Sequence, residues 1–334
     1  MVTRSDFDGD SHSDIVWRGA RGEVALWEMD GAELKSSSLV EQGGHTINPG
    51  NLWTVMQSGD FNADGLADLL WRGPDGEVAL WNMDGPELLA SSLVMRNRHP
   101  VNPGHDWTIL GTGDFNGDGH SDILWRSAPD AGAVHIWDMD NETIVSNHPA
   151  THHGGGPINL GSDWQVTGIG DFNDDGMSDI LWRSNEGQVG IWTMNDTEVQ
   201  DSSLVTLGGN PLSVDNNHWS VAGTGDFNGD GMTDILWRGA SGEVGLWLMD
   251  DSRVLLASSI EQGTHALNIP NNRWSVEGTG DYTGDGKADV LWRGSAGETM
   301  IWTLNGAQLQ SHTLVHDANG PLNVSGYWQI APTT

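Results

Sequence analysis

Six short acidic segments carry the clearest chemistry in this sequence. The third reads Asp114-Phe115-Asn116-Gly117-Asp118-Gly119, with Asp122 three residues on. Counted from the first aspartate, oxygen-bearing side chains stand at positions 1, 3, 5 and 9, and the backbone carbonyl of position 7 can turn inwards between them. Hard oxygen donors, several carboxylates and a glycine for the sharp turn suit calcium. Softer or imidazole-seeking metals would want Cys or His side chains as donors. Loop one offers Asp6, Asp8, Asp10 and Asp14 with the carbonyl of His12; loop two Asp60, Asn62, Asp64 and Asp68 with that of Leu66. Loop three adds Asp114, Asn116, Asp118 and Asp122 with His120, and loop four Asp171, Asn173, Asp175 and Asp179 with Met177. Loop five has Asp226, Asn228, Asp230 and Asp234 with Met232, and loop six Asp281, Thr283, Asp285 and Asp289 with Lys287. Asp, Asn and Gly are also ordinary turn residues. Six copies in register, each with three or four acids in nine residues, would however repel themselves without a cation. Up to six calcium ions are therefore expected. Loop one, with Ser11 for the glycine, and loop six, with Thr283 and Lys287, are the weaker members.

These loops recur because the whole chain recurs. They begin at residues 6, 60, 114, 171, 226 and 281, a period of 54 to 57 residues, and a seventh copy would begin just past Thr334. The 18 tryptophans count the same units independently. Each unit has one before the acidic loop, one in a Leu-Trp-Arg strand after it, and one in the next strand. Unit one has only Trp17 and Trp27, and its missing partner is Trp328 at the other end of the chain. Within unit five, four strands are expected: Trp219-Ser220-Val221-Ala222-Gly223 (A), Asp234-Ile235-Leu236-Trp237-Arg238 (B), Glu243-Val244-Gly245-Leu246-Trp247 (C) and residues 254–260 (D). C and D meet at Asp250-Asp251, whose counterparts Asp30-Gly31, Asp84-Gly85 and Asn305-Gly306 read as two-residue turns of the primed type. The expected fold is all-β: one domain over 1–334, a six-bladed β-propeller of four-stranded antiparallel blades. Residues 327–334 complete the first blade and close the ring, hiding two strand edges.

Composition bounds the partners. Forty-seven acids against 14 Lys and Arg leave a formal charge of −33, which repels nucleic acid and anionic membranes. No apolar stretch approaches the ~18 residues a spanning helix needs. There are no cysteines, so disulfides, thiolate chemistry and Cys-type zinc sites are excluded. The tryptophans recur at fixed strand positions, as blade-to-blade packing requires, and are read as structural. The arginines after the B-strand tryptophans (Arg18, Arg72, Arg126, Arg183, Arg238, Arg293) point to the opposite blade face, to stack on a ring or meet a carboxylate.

On the motif Gly113-Asp114-Phe115-Asn116-Gly117-Asp118-Gly119-x-x-Asp122-Ile123-Leu124-Trp125 and its counterparts, the sequence resembles the FG-GAP/VCBS repeat family, known from integrin α-subunit propellers and exported bacterial proteins. The resemblance covers the entire chain. It implies calcium in the A–B loops, secretion or cell-surface display by a bacterium, and binding rather than chemistry. Some relatives are lectins with pockets between blades, whereas others are adhesins or accessory domains. The Trp-rich strands depart from integrin blades, so integrin-type ligand recognition does not carry over.

Because strand direction alternates, the A–B and C–D loops share one face, and the B–C turns and D–A crossovers share the other. The crossovers vary most and gather the histidines, so His45, Asn48, His105, His218 and His265 are the candidate ligand contacts, with the six arginines behind them. The adjacent pair His152-His153 lacks a spaced third ligand for zinc. An enzyme would need one odd unit with a nucleophile or an acid–base pair. Unit three inserts Ser127-Ala128-Pro129-Asp130-Ala131 and has Ala133 for the usual Glu or Gln, which supplies neither. The expected function is a non-catalytic, monomeric, multivalent lectin-like ring binding glycan or another cell-surface ligand. The alternatives are a protein-adhesion scaffold or an accessory domain of a larger exported protein.

Overall fold

The computed structural model describes residues 5–128, 132–152, 155–158 and 161–332. The inserted residues 129–131 and His153 lie outside them. All regular structure among the described residues is β, in six sheets arranged as six blades. In blade five the strands are A (Trp219–Gly225), B (Asp234–Gly239), C (Val244–Asp250) and D (Arg253–Ser259), each antiparallel to the next. The A strands of neighbouring blades lie against one another around the axis. Thr112 Oγ1 donates to the Ser58 carbonyl (2.8 Å) and Thr279 Oγ1 to that of Thr224 (2.7 Å), tying one A strand to the one before.

Closure occurs where the tryptophan count places it. Trp328–Ile330 pairs with Ile15–Gly19, setting Gly19 opposite Trp328 and Trp17 opposite Ile330. The blades are wider than four strands, however. After each D strand the crossover first lays a short strand parallel to the D strand of the next blade, as where Glu41 faces Glu87. Among the described residues a second short strand follows in five blades, giving six-stranded sheets, and the remaining sheet has five strands. The physical reason is the exposed outer edge of D, whose free N–H and C=O groups this segment covers. Two adjacent left-handed residues turn the extra hairpin, Gly43-Gly44 (φ 57°, 77°) and Asn97-Arg98 (φ 53°, 67°) among them. The C–D turns also sit one place later than expected: Asp30 pairs with Glu33, leaving Gly31-Ala32 in the turn.

Six apolar cores lie between consecutive blades. Leu236, Val244 and Leu246 of blade five meet Val290, Trp292 and Trp302 of blade six. The last core joins Leu291 and Ile301 of blade six to Ile15, Trp17 and Trp27 of blade one. Every B-strand tryptophan is buried (Trp125 and Trp292 at 0%) and packs on the C-strand tryptophan of its own blade, with ring centroids 4.5–4.8 Å apart. Arginines of the preceding blade cover the other side: Arg18 lies 4.9 Å from the Trp71 ring and Arg293 4.8 Å from Trp17. Such contacts are worth about 1 kcal/mol or more when desolvated.

Candidate functional site

The two faces carry different chemistry. On one, each acidic loop curls around its own carboxylates. Asp6 accepts the amides of Gly9 (2.8 Å) and Ser11 (2.9 Å), and Asp10 accepts that of His12 (2.9 Å). The ninth-position aspartates are buried; in loops one to five each accepts two amides, and in loop six Asp289 accepts the Leu304 amide (3.2 Å) and the Thr283 hydroxyl (3.2 Å). Asp14 takes Phe7 N–H (2.9 Å) and Met29 N–H (3.0 Å), the second from strand C, and Asp68, Asp122, Asp179 and Asp234 repeat the pattern. One carboxylate oxygen from each of Asp6, Asp8 and Asp14 lies within 4.8 Å of the others.

Assembling these acids is electrostatically uphill. Burial, with the other acids of the loop adding to it, pushes Asp14 up to about 8 and Asp68, Asp179, Asp234 and Asp289 up to about 7. Asp122 goes well above the carboxylate range by the same cause. A hard divalent cation is the charge that offsets this cost. The convergent, all-oxygen donor set fits one, with the residues at positions 1, 3, 5 and 9 supplying side chains. Position 7 suits a carbonyl role in loops two to four, where its side chains turn elsewhere: the His120 ring bonds the Phe61 carbonyl (2.8 Å), and Leu66 and Met177 pack over Gly9 and Gly117 of the preceding loops; in loops one and six, His12 and Lys287 reach the fifth-position aspartates Asp10 (3.0 Å) and Asp285 (3.1 Å).

The loops are also wired into a ring. The amide of position 8 donates to the first carbonyl of the preceding loop, as in Ala67 to Asp6 (2.7 Å) and Ser121 to Asp60 (2.6 Å), and the sixth such bond closes the circle from Ser13 to Asp281 (2.7 Å). Fixing one loop therefore fixes its neighbour.

Loop one is better formed than its missing glycine suggests. Ser11 takes φ 71°, the left-handed region held elsewhere by Gly65 (90°) and Gly286 (81°). Ser11→Gly relieves a strain of about 1 kcal/mol, so its melting temperature should rise by about 2 °C; an unchanged or lower value contradicts the strain.

On the opposite face, the tryptophans pack against the inter-blade cores at two different depths. The ones at the start of strand A (Trp53, Trp107, Trp164, Trp219, Trp274, Trp328) are only half-buried, unlike their B-strand counterparts. Four stand in blades whose B–C turn presents a glutamate. Trp53 and Glu77 crowd the same point beside Gly73, where a Cβ would meet both, and Trp274 and Glu298 do so beside Gly294. The residue before the tryptophan engages that glutamate in three blades: Tyr327 on Glu23 (2.7 Å), Arg273 on Glu298 (2.5 Å), and His218 on Glu243 (3.4 Å). In blade four, where Gly190 stands in place of Ala25, Ala79 or Met300, a cavity of about 250 Å³ opens among Trp164, Trp182, Trp192, Ser202 and Ser203.

The predicted contacts separate accordingly. His45 and His265 lie in the outer hairpins, exposed, at the opposite radial end of the crossover from the tryptophans. Asn48 shapes its own turn, accepting Gly50 N–H (2.8 Å). His218 does reach a tryptophan, its ring standing edge-on to that of Trp219 at 5.2 Å, whereas His105 is exposed in the turn two residues before Trp107. The arginines clamp the crossover. Arg18 donates to the Gly50 and Trp53 carbonyls (2.9 Å each), Arg126 to Trp164 (2.7 Å) and Gly161, and Arg293 to Val324 (2.8 Å). Arg72, Arg183 and Arg238 do the same to Gly104, Val214 and Ile269.

Among solved structures, the chain is similar to an Agrocybe aegerita lectin described for specific recognition of non-reducing terminal N-acetylglucosamine. The identity is 17% and the TM-score 0.58, over 99% of this chain and 84% of that one. It is also similar to part of a Photorhabdus luminescens Tc holotoxin pore (16% identity, TM-score 0.53), over 92% of this chain but 15% of that one. At these identities the likeness is one of fold. The profile of the FG-GAP-like repeat matches residues 6–71, 60–125, 171–237 and 226–292, more than half of the sequence, and its boundaries fall on the acidic loops and B strands described above: the chain belongs to the FG-GAP-like repeat family.

Proposed function

We propose that this propeller is a calcium-stabilised, non-catalytic binding module that works outside the cytosol and recognises carbohydrate at several blades at once. The observation that carries the reading is the circle of half-buried A-strand tryptophans on the face away from the acidic loops. An indole face takes the C–H side of a sugar, and the neighbouring Glu23, Glu77, Glu243 and Glu298 can accept its hydroxyls. The cleft of blade four adds the hydroxyls of Ser202 and Ser203 to the Trp164 and Trp192 rings. Each site exchanges water hydrogen bonds for sugar ones and is weak alone; repetition around the ring supplies avidity. Calcium acts at a distance, by stiffening the wired loops on the far face. An adhesion surface would instead want one contiguous apolar patch. The most exposed apolar D-strand residues, Leu89 (54%), Val145 (62%) and Leu255 (52%), stand on three different blades, which favours sugar.

The test is a glycan array, with terminal amino sugars first in the panel because of the similar lectin. Clustered glycans are expected to bind, monosaccharide to compete poorly, and Trp164→Ala or Trp219→Ala to lower apparent avidity about tenfold without unfolding the ring. Silence across the array, together with capture of a protein ligand, would hand the function to the scaffold reading.

A further inference from the structure

We infer that Lys287 is the resident cation of loop six: it takes the place of the divalent ion there, so the ring binds five ions, and the seam where the chain closes is held without metal. The inference rests on the calcium reading of the other five loops. The chain has only two lysines, Lys35 and Lys287, and each touches a fifth-position aspartate. Lys287 Nζ lies 3.1 Å from Asp285 Oδ2. In loops two to five the same oxygen instead accepts an asparagine amide at position 3, as Asn62 to Asp64 (2.9 Å) and Asn228 to Asp230 (2.8 Å). An asparagine can turn its carbonyl to an incoming cation, but an ammonium has no acceptor to offer and repels it.

A second observation points the same way. The position-3 donor of loop six, Thr283, is already used within the loop: its hydroxyl donates to Asp289 Oδ2 (3.2 Å). Charge counting then separates the two lysine-bearing loops. At its ligand positions loop one has a fourth acid, Asp8, so Lys35 leaves three net negative charges there, the same as at the ligand positions of loops two to five; it is also where Asp6, Asp8 and Asp14 converge. Loop six has three acids, so Lys287 leaves it two. The Lys287 stem lies over Gly229 of loop five, and Asp281 receives the ring-closing bond from Ser13. Lys287 therefore faces the loop-five side of loop six, and the join between the last loop and the first rests on the bond from Ser13 and on His12 packed over Gly284.

Equilibrium dialysis of the metal-free full chain against calcium, with native mass spectrometry, reads the number of ions directly. The parent is expected to bind five, and Lys287→Ala combined with Thr283→Asn one more. The reciprocal variant, Leu66→Lys, places an ammonium beside Asp64 and should bind one fewer, which keeps the inference testable if the double variant does not fold. Six ions on the parent, or counts that neither variant moves, overturn the role of Lys287 and leave the calcium reading standing. No calcium on any of the three chains overturns the calcium reading itself.

Discussion

A chain lacking residues 327–334 is expected to be recovered as aggregate and not as a soluble monomer. The deletion removes strand A of blade one. Trp17, Arg18 and Gly19 lose their partners Ile330, Gln329 and Trp328, and Val16 loses the amide of Ala331 (2.8 Å). Glu23 loses the Tyr327 hydroxyl, and the loss of the 2%-exposed Ala331 leaves the inter-blade core open. The half-buried Trp328 forfeits only part of the roughly 3–5 kcal/mol that truncating an enclosed aromatic costs, but the other side chains and the whole strand's ladder bonds add to that. Whole-domain stabilities are only about 5–15 kcal/mol, so little remains. The bare edges of Ile15–Gly19 and of the neighbouring A strands then invite pairing between molecules. Size-exclusion chromatography with light scattering checks this directly. A monodisperse truncated chain melting within a few degrees of the parent would show that the last strand does not hold the ring.

Closure was legible because it is arithmetic: eighteen tryptophans make complete sets only if Trp328 belongs with Trp17 and Trp27. The acidic loops were legible because residue type and spacing repeat locally. What the sequence hid was direction and depth. Three tryptophans per unit look alike in one dimension, yet those on B are enclosed by an arginine on one side and a C-strand indole on the other, whereas those on A sit at a strand end beside a turn. A signal for the difference does exist inside the repeats. Where the B–C turn has glutamate (Glu23, Glu77, Glu243, Glu298), the residue after the B-strand arginine is glycine (Gly19, Gly73, Gly239, Gly294); where it has Ala133 or Gln188, that residue is Ser127 or Ser184. The carboxylate and a Cβ compete for one space, which marks the place where tryptophan and glutamate meet. The outer hairpins stayed hidden for another reason. Gly43-Gly44 and Asn97-Arg98 announce a turn, but nothing local says that the residue before them pairs with a strand of the next blade.

Removing calcium should lower the melting temperature, and by more at high pH than at low. Extracellular calcium modules bind with Kd of roughly 10⁻⁴ to 10⁻³ M, so millimolar calcium adds on the order of 1 kcal/mol per site through RT ln(1 + [L]/Kd). Five sites sum to several kcal/mol, or about 5–10 °C for a chain of this size. The wiring of position-8 amides to the preceding loop means the loss is shared around the ring. The pH arm follows from the ninth-position aspartates, which burial raises to about 8 at Asp14 and about 7 at Asp68, Asp179, Asp234 and Asp289. Their folded values lie above the unfolded value of 3.8, so in the metal-free protein the folded state holds the extra protons. Their stabilisation is complete below about pH 4 and is lost as pH rises through 7 and 8. Calcium selects the ionised form and gains on its competitor over the same interval. Melting curves at pH 5 and pH 8.5, with calcium and with chelator, should therefore differ little at the lower pH and widely at the higher. Curves that coincide at pH 8.5 would remove the metal from the account of this fold, and a gap that narrows as pH rises would mean that the buried aspartates are ionised without it.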